Sequence, residues 1–257
     1  MSSTETENEF WSGIPAEKRP RHIAMIMDGN GRWAQERDQP RIKGHEQGAE
    51  TVRSITEECA KLGIEQLTLY CLSSENWKRP ELELEFLMHL LTEYLVNERE
   101  TLNKNNIRLE IIGRRDRIPV AVQREMDRSI ELTSSNTGPR LCLAINYGAR
   151  AEIVDAIRNI SRRVKEEGLD VDSIDEQMVS DHLYTAGMSD PDLMVRTAGE
   201  MRISNYLLWQ LSYAELWVTK KYWPEFGVEH LRTAILDYAK RKRRFGGLNL
   251  NEQEPSC

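Results

Sequence analysis

The sequence predicts an α/β fold, a single domain whose central, mostly parallel sheet of about six strands is covered by helices on both faces. Three observations predict it. From residue 21 onward, short apolar runs alternate with longer segments of helical period. Strands separated by helices need right-handed crossovers, which lay the helices over a parallel sheet. The first run, HIAMIM at 22 to 27, lacks polar alternation, as expected of a strand buried on both faces.

Residues 1 to 20 are polar, contain Pro15 and Pro20 and show no period, so they read as a mobile arm. After the strand at 22 to 27, ETVRSITEECAKLG puts Val52, Ile55, Cys59 and Leu62 on one helical face, and Gly63 ends that helix. A strand at 64 to 72, a helix at 81 to 102, a strand at 107 to 112, a helix at 119 to 133 and a strand at 140 to 146 follow. The helix expected at 150 to 166 carries Ile153, Ile157, Ile160 and Val164 on one face. Another helix is expected from Ser173, where Ser173 and Glu176 form a capping box. The order closes with a strand at 192 to 196, a short helix near 205 to 211, a strand at 215 to 218 and a helix at 228 to 244. No linker or repeat interrupts residues 21 to 247, which form one domain; 248 to 257 are a tail.

A chain of 257 residues can remove roughly three quarters of its unfolded surface from water, so the core needs no staples. Cys59, Cys71, Cys142 and Cys257 form no C-x-x-C pair, and the three internal ones sit in apolar segments, which points to a reducing compartment. No apolar run approaches the roughly 20 residues of a membrane span, and MSSTETENEF has neither a basic start nor an apolar h-region. A soluble, cytoplasmic protein without a transmembrane segment is expected. A net charge of -7 argues against a nucleic-acid partner. Small phosphorylated ligands fit, because converging arginines set the local field.

The polar clusters follow strands: Asp28-Gly-Asn-Gly-Arg-Trp after the first, Ser73 to Arg79 after the second, Asn146-Tyr147-Gly148 after the fourth, and Arg196 to Glu200 after the fifth. Open α/β sheets bind ligands outside the carboxyl ends of their strands, so one rim should gather these clusters. Arg32, Arg41, Arg79, Arg196 and Arg202 can offer bidentate donors to phosphate. One loop arginine is ordinarily a solvated charge; five on strand-end loops are harder to dismiss. Gly29 and Gly31 would let backbone N–H groups approach a phosphate, although a loop glycine more often permits a turn.

Asp28 would repel a diphosphate at that rim, and a magnesium ion removes the conflict, since Mg²⁺ is commonly held by one or two carboxylates plus substrate phosphates. Glu215 is the best second carboxylate by position. The bland alternatives are a turn-forming Asp before Gly and an ordinary strand-end acid. His45, just before the first helix, could hydrogen-bond a phosphate, although a lone histidine is more often structural. Gly29-Asn-Gly31-Arg-Trp-Ala34 also matches a dinucleotide fingerprint, but no acid follows at the expected spacing, so a nicotinamide enzyme ranks second. H-E-x-x-H, G-x-S-x-G and Walker motifs are absent. The helix at 81 to 102 is broadly apolar, at Leu82, Phe86, Leu87, Leu90, Leu91, Tyr94 and Leu95; it is a core helix by default, or the wall of an apolar cleft.

HIAMIMDGNGRWA, GHEQGAE, SSENWKRP, NTG with NYG, RTAGEMRISNYLLWQLSYAELW and RRFGG, in this order over His22 to Gly247, make the chain resemble the cis-prenyltransferase family, the isoprenyl transferases that include undecaprenyl diphosphate synthase. The resemblance implies a helix-wrapped parallel sheet, usually in a homodimer. It also implies Mg²⁺-dependent repeated cis condensation of isopentenyl diphosphate with an allylic diphosphate such as farnesyl or geranyl diphosphate. Asp28 is then the acid that holds magnesium on the allylic diphosphate. Gly29, Asn30, Gly31 and Arg32, with Arg41 and His45, form its cradle, and Trp33 flanks the pocket. Ser73, Ser74, Glu75, Asn76, Trp77 and Arg79 match a mobile loop that positions isopentenyl diphosphate. Asn76 is the implied proton acceptor, although neutral asparagine is a weak base and a relay to water or diphosphate is physically easier. Arg196, Arg202, Ile203 and Ser204 bind isopentenyl diphosphate, and Glu215 completes the metal site.

The departures RTAGE, NYGA and Cys71-Leu72 before SSENW leave the charged groups intact and bear on loop shape and cleft width, hence product length; Met201, at a position that is sometimes His in the family, removes one possible auxiliary metal or phosphate contact. A catalytically silent partner-supporting subunit would lack the strand-one acid or the arginines, whereas Asp28, Asn76, Arg196, Arg202 and Glu215 are all present. An active homomeric enzyme is expected, with transient membrane association for release of a long apolar product. Asp28→Ala is expected to abolish turnover with little loss of stability.

Overall fold

The computed structural model describes residues 9 to 242, so the RRFGG motif at 243 to 247 and the tail at 248 to 257 lie outside the described residues. Six strands form one sheet: β1 (His22–Ile26), β2 (Gln66–Ser73), β3 (Arg108–Ile112), β4 (Arg140–Tyr147), β5 (Leu193–Arg196) and β6 (Glu215–Val218). Their order is β3-β4-β2-β1-β5-β6, and every neighbouring pair is parallel. The helices are α1 (Asn30–Gln35), α2 (Arg41–Lys61), α3 (Glu81–Asn97), α4 (Arg99–Lys104), α5 (Val120–Thr133), α6 (Ala149–Glu167), α7 (Glu176–His182) and α8 (Val228–Lys240).

Successive strand residues point to opposite faces, which divides the core in two. On one face Ile23, Met25, Leu67, Leu69, Leu141, Leu143, Leu193 and Val195 pack with α2, α3, α5 and α8 through Ile55, Leu95, Met126 and Ile235. On the other, Ala24, Cys142, Ala144 and Met194 meet Tyr70, Tyr147, Tyr206 and Leu211. The centre of the sheet is therefore dry on both sides, as the unbroken apolar run of β1 requires.

Several expected elements differ. Residues 9 to 20 are anchored rather than free: Trp11 is buried, donates its indole N–H to the Leu62 carbonyl at 2.9 Å and lies under the Arg19 guanidinium. The first helix starts at Arg41, so His45 is inside it, and a short helix precedes it at Asn30–Gln35. The helix at 81 to 102 breaks at Glu98, whose carboxylate is buried and held by Arg53. Ser173 ends a 3-10 turn, and Asp175 caps α7 by accepting from the Met178 N–H at 2.8 Å. No helix forms at 205 to 211, because Ser204, Asn205 and Leu207 take positive φ. Helix α6 buries Ala149, Glu152, Ala156 and Ile160 and leaves Ile157 exposed. Glu152 selects that face: its carboxylate accepts from the Tyr147 hydroxyl, the Tyr184 N–H and the Gln210 amide.

Candidate active site

The chain leaves β1 toward β2 on one side of the sheet and leaves β5 toward β6 on the other, so a crevice opens outside the carboxyl ends of these adjacent strands. Asp28 and Arg196 meet there. Asp28 Oδ2 accepts from Arg196 Nη2 at 2.9 Å, and Oδ1 from Arg32 Nη2 at 3.1 Å. The backbone beneath is fixed, since Thr197 Oγ1 accepts from the Asp28 N–H and donates to the Asp28 carbonyl, which also accepts from the Trp223 N–H. Partial burial alone would raise the Asp28 pKa, but Arg196 and then Arg32 outweigh it and hold the carboxyl below its ordinary value. Asp28 is an ionised, accessible carboxylate between two guanidinium groups.

Arg196 is almost fully buried, with Nη1 donating to Ser204 Oγ at 2.8 Å and to the Arg202 carbonyl. The turn at 202 to 204 is thereby folded onto the end of β5. Arg202 extends to solvent beside Glu200, which Arg32 also reaches at 3.2 Å. From the other side, a 3-10 turn at Ser74–Lys78 follows β2, and its Asn76 accepts the Ser73 N–H at 3.1 Å. Ser73, Glu75, Asn76, Arg79, Asp28, Arg196, Arg202, Ser204 and Asn205 line one polar cavity of about 570 Å³.

A smaller recess adjoins it, lined by the backbone and side chains of Asp28 to Arg32 with Arg41, His45 and Arg79. Close approach explains its glycines. Gly29 begins α1 at φ +99°, the Arg41 guanidinium lies on Gly31 where a Cβ would come within 2.4 Å, and Gly44 of α2 lies against the Asn30 carbonyl. This crowding, with α1 only six residues long, does not suit the open pyrophosphate turn of a dinucleotide site. Arg41, Arg79 and His45 surround Glu83, at 3.4, 3.0 and 3.7 Å. Burial, and then the Arg79 charge, push the His45 pKa down to about 4, so the imidazole is neutral at pH 7; its buried Nε2 has no hydrogen-bond partner.

Beneath the polar rim lies an apolar cavity of about 110 Å³ between α2, α3 and the sheet. Val52, Leu87, Met88, Leu91, Tyr94, Leu143, Ile145 and Trp223 line it. Helix α3 buries only Met88 and Leu95 fully, so it stands partly off the core and forms the cleft wall. Met27, Asn30, His45 and Cys71 line both this cavity and the polar one. These four residues are the common wall of two adjoining spaces, one polar and one apolar.

The family model for putative undecaprenyl diphosphate synthase matches residues 26 to 246. The chain belongs to this family. It is 54% identical over 231 residues to an isoprenyl transferase of Rhodopirellula baltica, covering 90% of this chain and 95% of that one. An isoprenyl transferase of Clostridium perfringens is 49% identical over 232 residues, or 90% and 92% of the two chains. Among solved structures, lavandulyl diphosphate synthase from Lavandula x intermedia, in complex with dimethylallyl diphosphate, superposes with a TM-score of 0.88 at 36% identity, covering 90% of this chain and 99% of that one. A probable undecaprenyl diphosphate synthase from Campylobacter jejuni gives a TM-score of 0.73 at 33% identity, over 88% and 98%.

In this undecaprenyl diphosphate synthase family member, most residues expected at the rim gather there, and five do not. Glu215 starts β6, level with Leu193 and through it with Ile23, while Asp28 lies beyond Ile26 at the opposite end of the parallel strands. About 10 Å of strand rise separates those two levels, and Glu215 pairs with Arg241 at 2.8 Å. Within one chain it does not join Asp28. Trp33 lies against Arg37 and outside the cavities; Trp77 donates to Asn146 at 2.7 Å beneath Arg117. Ser74 packs against Gly148, and Ile203 packs on the tyrosine cluster. Glu83, Thr197 and Asn205 were missed. Only the Thr after Arg196 carried a signal, as a hydroxyl in a strand-end cluster; the other two reach the site through packing of α3 and a left-handed turn.

Proposed function

We propose that the protein condenses isopentenyl diphosphate repeatedly with an allylic diphosphate such as farnesyl or geranyl diphosphate, forming cis double bonds and releasing pyrophosphate. An arginine-lined polar cavity set directly against an apolar one, with four lining residues in common, carries this reading, because a prenyl diphosphate has that shape of polarity. The Gly29 to Arg32 backbone, Arg41 and Arg79 bind the allylic diphosphate, and its chain enters the cavity under α3. Arg196, Arg202 and Ser204 bind isopentenyl diphosphate, whose double bond faces the allylic carbon. Arginines fixed in advance stabilise the charge that develops as the allylic C–O bond breaks. A carbon–carbon bond then forms, and the proton lost from isopentenyl diphosphate passes to water or diphosphate. Asn76 orients the turn rather than acting as a strong base, since its side-chain oxygen is engaged by the Ser73 N–H.

Among the described residues no group of three or more His, Cys, Asp or Glu could hold a metal by itself. A single ionised carboxylate beside a diphosphate cradle fits Mg²⁺ that arrives with substrate, so Asp28 is its protein ligand. Bound Mg²⁺ would neutralise the departing diphosphate. A homodimer is supported by the exposed side chain of Leu216 on edge strand β6 and of Tyr213 just before it. No helix among the described residues is long and apolar enough to cross a membrane; transient membrane contact for release of a long apolar product is part of the proposal. Free Cys59, Cys71 and Cys142 accord with a reducing cytoplasm.

The test incubates the protein with farnesyl diphosphate and labelled isopentenyl diphosphate, with Mg²⁺ or with EDTA. Solvent-extractable label is expected only with Mg²⁺, and its absence from both reactions sinks the proposal. Light scattering on the eluted protein should give the mass of two chains, and Leu216→Glu should return one.

A further inference from the structure

Asn205 lies on the wall opposite the Ser73 to Arg79 segment and touches it. Its Nδ2 donates to Glu75 Oε1 at 2.8 Å, while its Oδ1 accepts from the Arg150 N–H at 3.0 Å and its carbonyl from the Ala149 N–H at 2.9 Å. A backbone donor on one side and a carboxylate on the other fix the orientation of the amide. Asn205 occupies the left-handed region at φ +60°, following Ser204 at φ +50°, so a side chain that closes this network is set on an unusual turn. Gly148 lets the two walls meet: a Cβ there would come within 2.4 Å of Ser74 Oγ and 2.7 Å of Asn205 Nδ2. Both Glu75 and Asn205 line the polar cavity.

We propose that Asn205 is a positioning residue that clasps the Ser73 to Arg79 segment to the Arg196–Ser204 wall, so that the isopentenyl diphosphate site and the turn carrying Asn76 and Arg79 hold one relative position. The proposal rests on the activity assigned above. One side of the clasp is the phosphate-binding turn, and the other is a 3-10 turn otherwise tied by Trp77 to Asn146 and by Arg79 to Glu83. Asn205 does not touch reacting atoms. It sets where the groups that do so stand.

Asn205→Asp separates clasp from cap. Aspartate keeps an oxygen for the Arg150 N–H but turns a donor to Glu75 into a second carboxylate. Adding Glu75→Gln restores the hydrogen bond with donor and acceptor exchanged. Amide exchange followed by mass spectrometry should be about tenfold faster over residues 73 to 79 in Asn205→Asp, the equivalent of one hydrogen bond, with the first turn of α6 unchanged. The KM for isopentenyl diphosphate should rise roughly tenfold, with a smaller rise for farnesyl diphosphate through Arg79, while kcat changes less than either. The double variant should recover the exchange protection over residues 73 to 79. Unchanged exchange over 73 to 79, or a double variant no better than Asn205→Asp, overturns the proposal. Should α6 also lose protection, Glu75→Ala, which spares the cap, must still loosen 73 to 79. The exchange result is independent of turnover, so an inactive wild type would refute the assigned activity without obscuring the clasp.

Discussion

Asp28 Oδ2 and Arg196 Nη2 stand 2.9 Å apart across the crevice where the connections from β1 and β5 diverge. The contact joins a partly exposed carboxylate to a buried guanidinium, so each is the other's main counter-charge before an anionic substrate arrives. Asp28 thus serves the folded state, in addition to the ligand role proposed for it.

Asp28→Ala should therefore cost stability as well as turnover, contrary to the expectation from sequence. Removing the carboxylate leaves the Arg196 charge buried beside neutral partners, worth roughly 3 kcal/mol. Asp28→Asn retains an acceptor for Arg196 and should unfold within about 1 kcal/mol of wild type, yet lose on the order of a thousandfold in kcat. Urea unfolding beside single-turnover rates checks the pair; equal stability of Ala and Asn variants would refute the buried-charge account.

Two glycines should answer differently to alanine. At Gly31 the added methyl meets the end of a flexible Arg41 side chain, which can swing away; the protein should fold, with a KM for the allylic substrate raised roughly tenfold. At Gly44 it meets the Asn30 carbonyl at 1.9 Å, and backbone cannot step aside cheaply. Gly44→Ala should lose about 3 kcal/mol or more, read as a lower urea midpoint.

Acid should weaken the fold through buried histidines. Burial pushes His22 down to about 4, against opposition from the Ser189 carbonyl, and His45 lies at about 4 as well. Both are depressed bases, so the unfolded chain binds their protons first. Their contribution is complete above about pH 6.5 and is lost as pH falls from there through 4, on the order of 3 kcal/mol each. Unfolding free energies at pH 7.5, 6 and 5 should show a steeper fall for wild type than for His22→Gln; parallel lines would exclude His22.

Leu91 projects into the apolar cavity from α3, away from the rim. Leu91→Trp should fill it and shift the extracted products to shorter chains while the first condensation keeps its rate within about threefold. Chromatography of labelled products decides, and an unchanged length distribution would place the chain's path elsewhere.

All six strands were legible as short apolar runs, most clearly the central β1, because a strand buried on both faces has little room for polar residues, whereas edge strand β6 is only partly buried. Asp28 and Arg196 were legible at the rim because Arg196 is the last residue of β5 and Asp28 comes two residues after β1. Glu215 misled for the complementary reason: its residue type fits, but it begins a strand, and in a parallel sheet beginnings and ends lie on opposite edges. The face of α6 could not be read from Ile153 and Ile157, because the buried Glu152 is matched by partners distant in sequence, Tyr184 and Gln210. The irregular stretch at 204 to 207 follows from positive φ angles at residues whose side chains do not announce them.

The stand-off of α3 has a thermodynamic side. A helix that lines a cavity with Leu87, Leu91 and Tyr94 gives these side chains fewer protein contacts than a packed interior would supply. The prenyl chain proposed to lie there would supply those contacts, at roughly 0.8 kcal/mol for each methylene-sized group taken from water. Each condensation would therefore tighten the grip on its own product, until release rather than bond formation becomes the slow event.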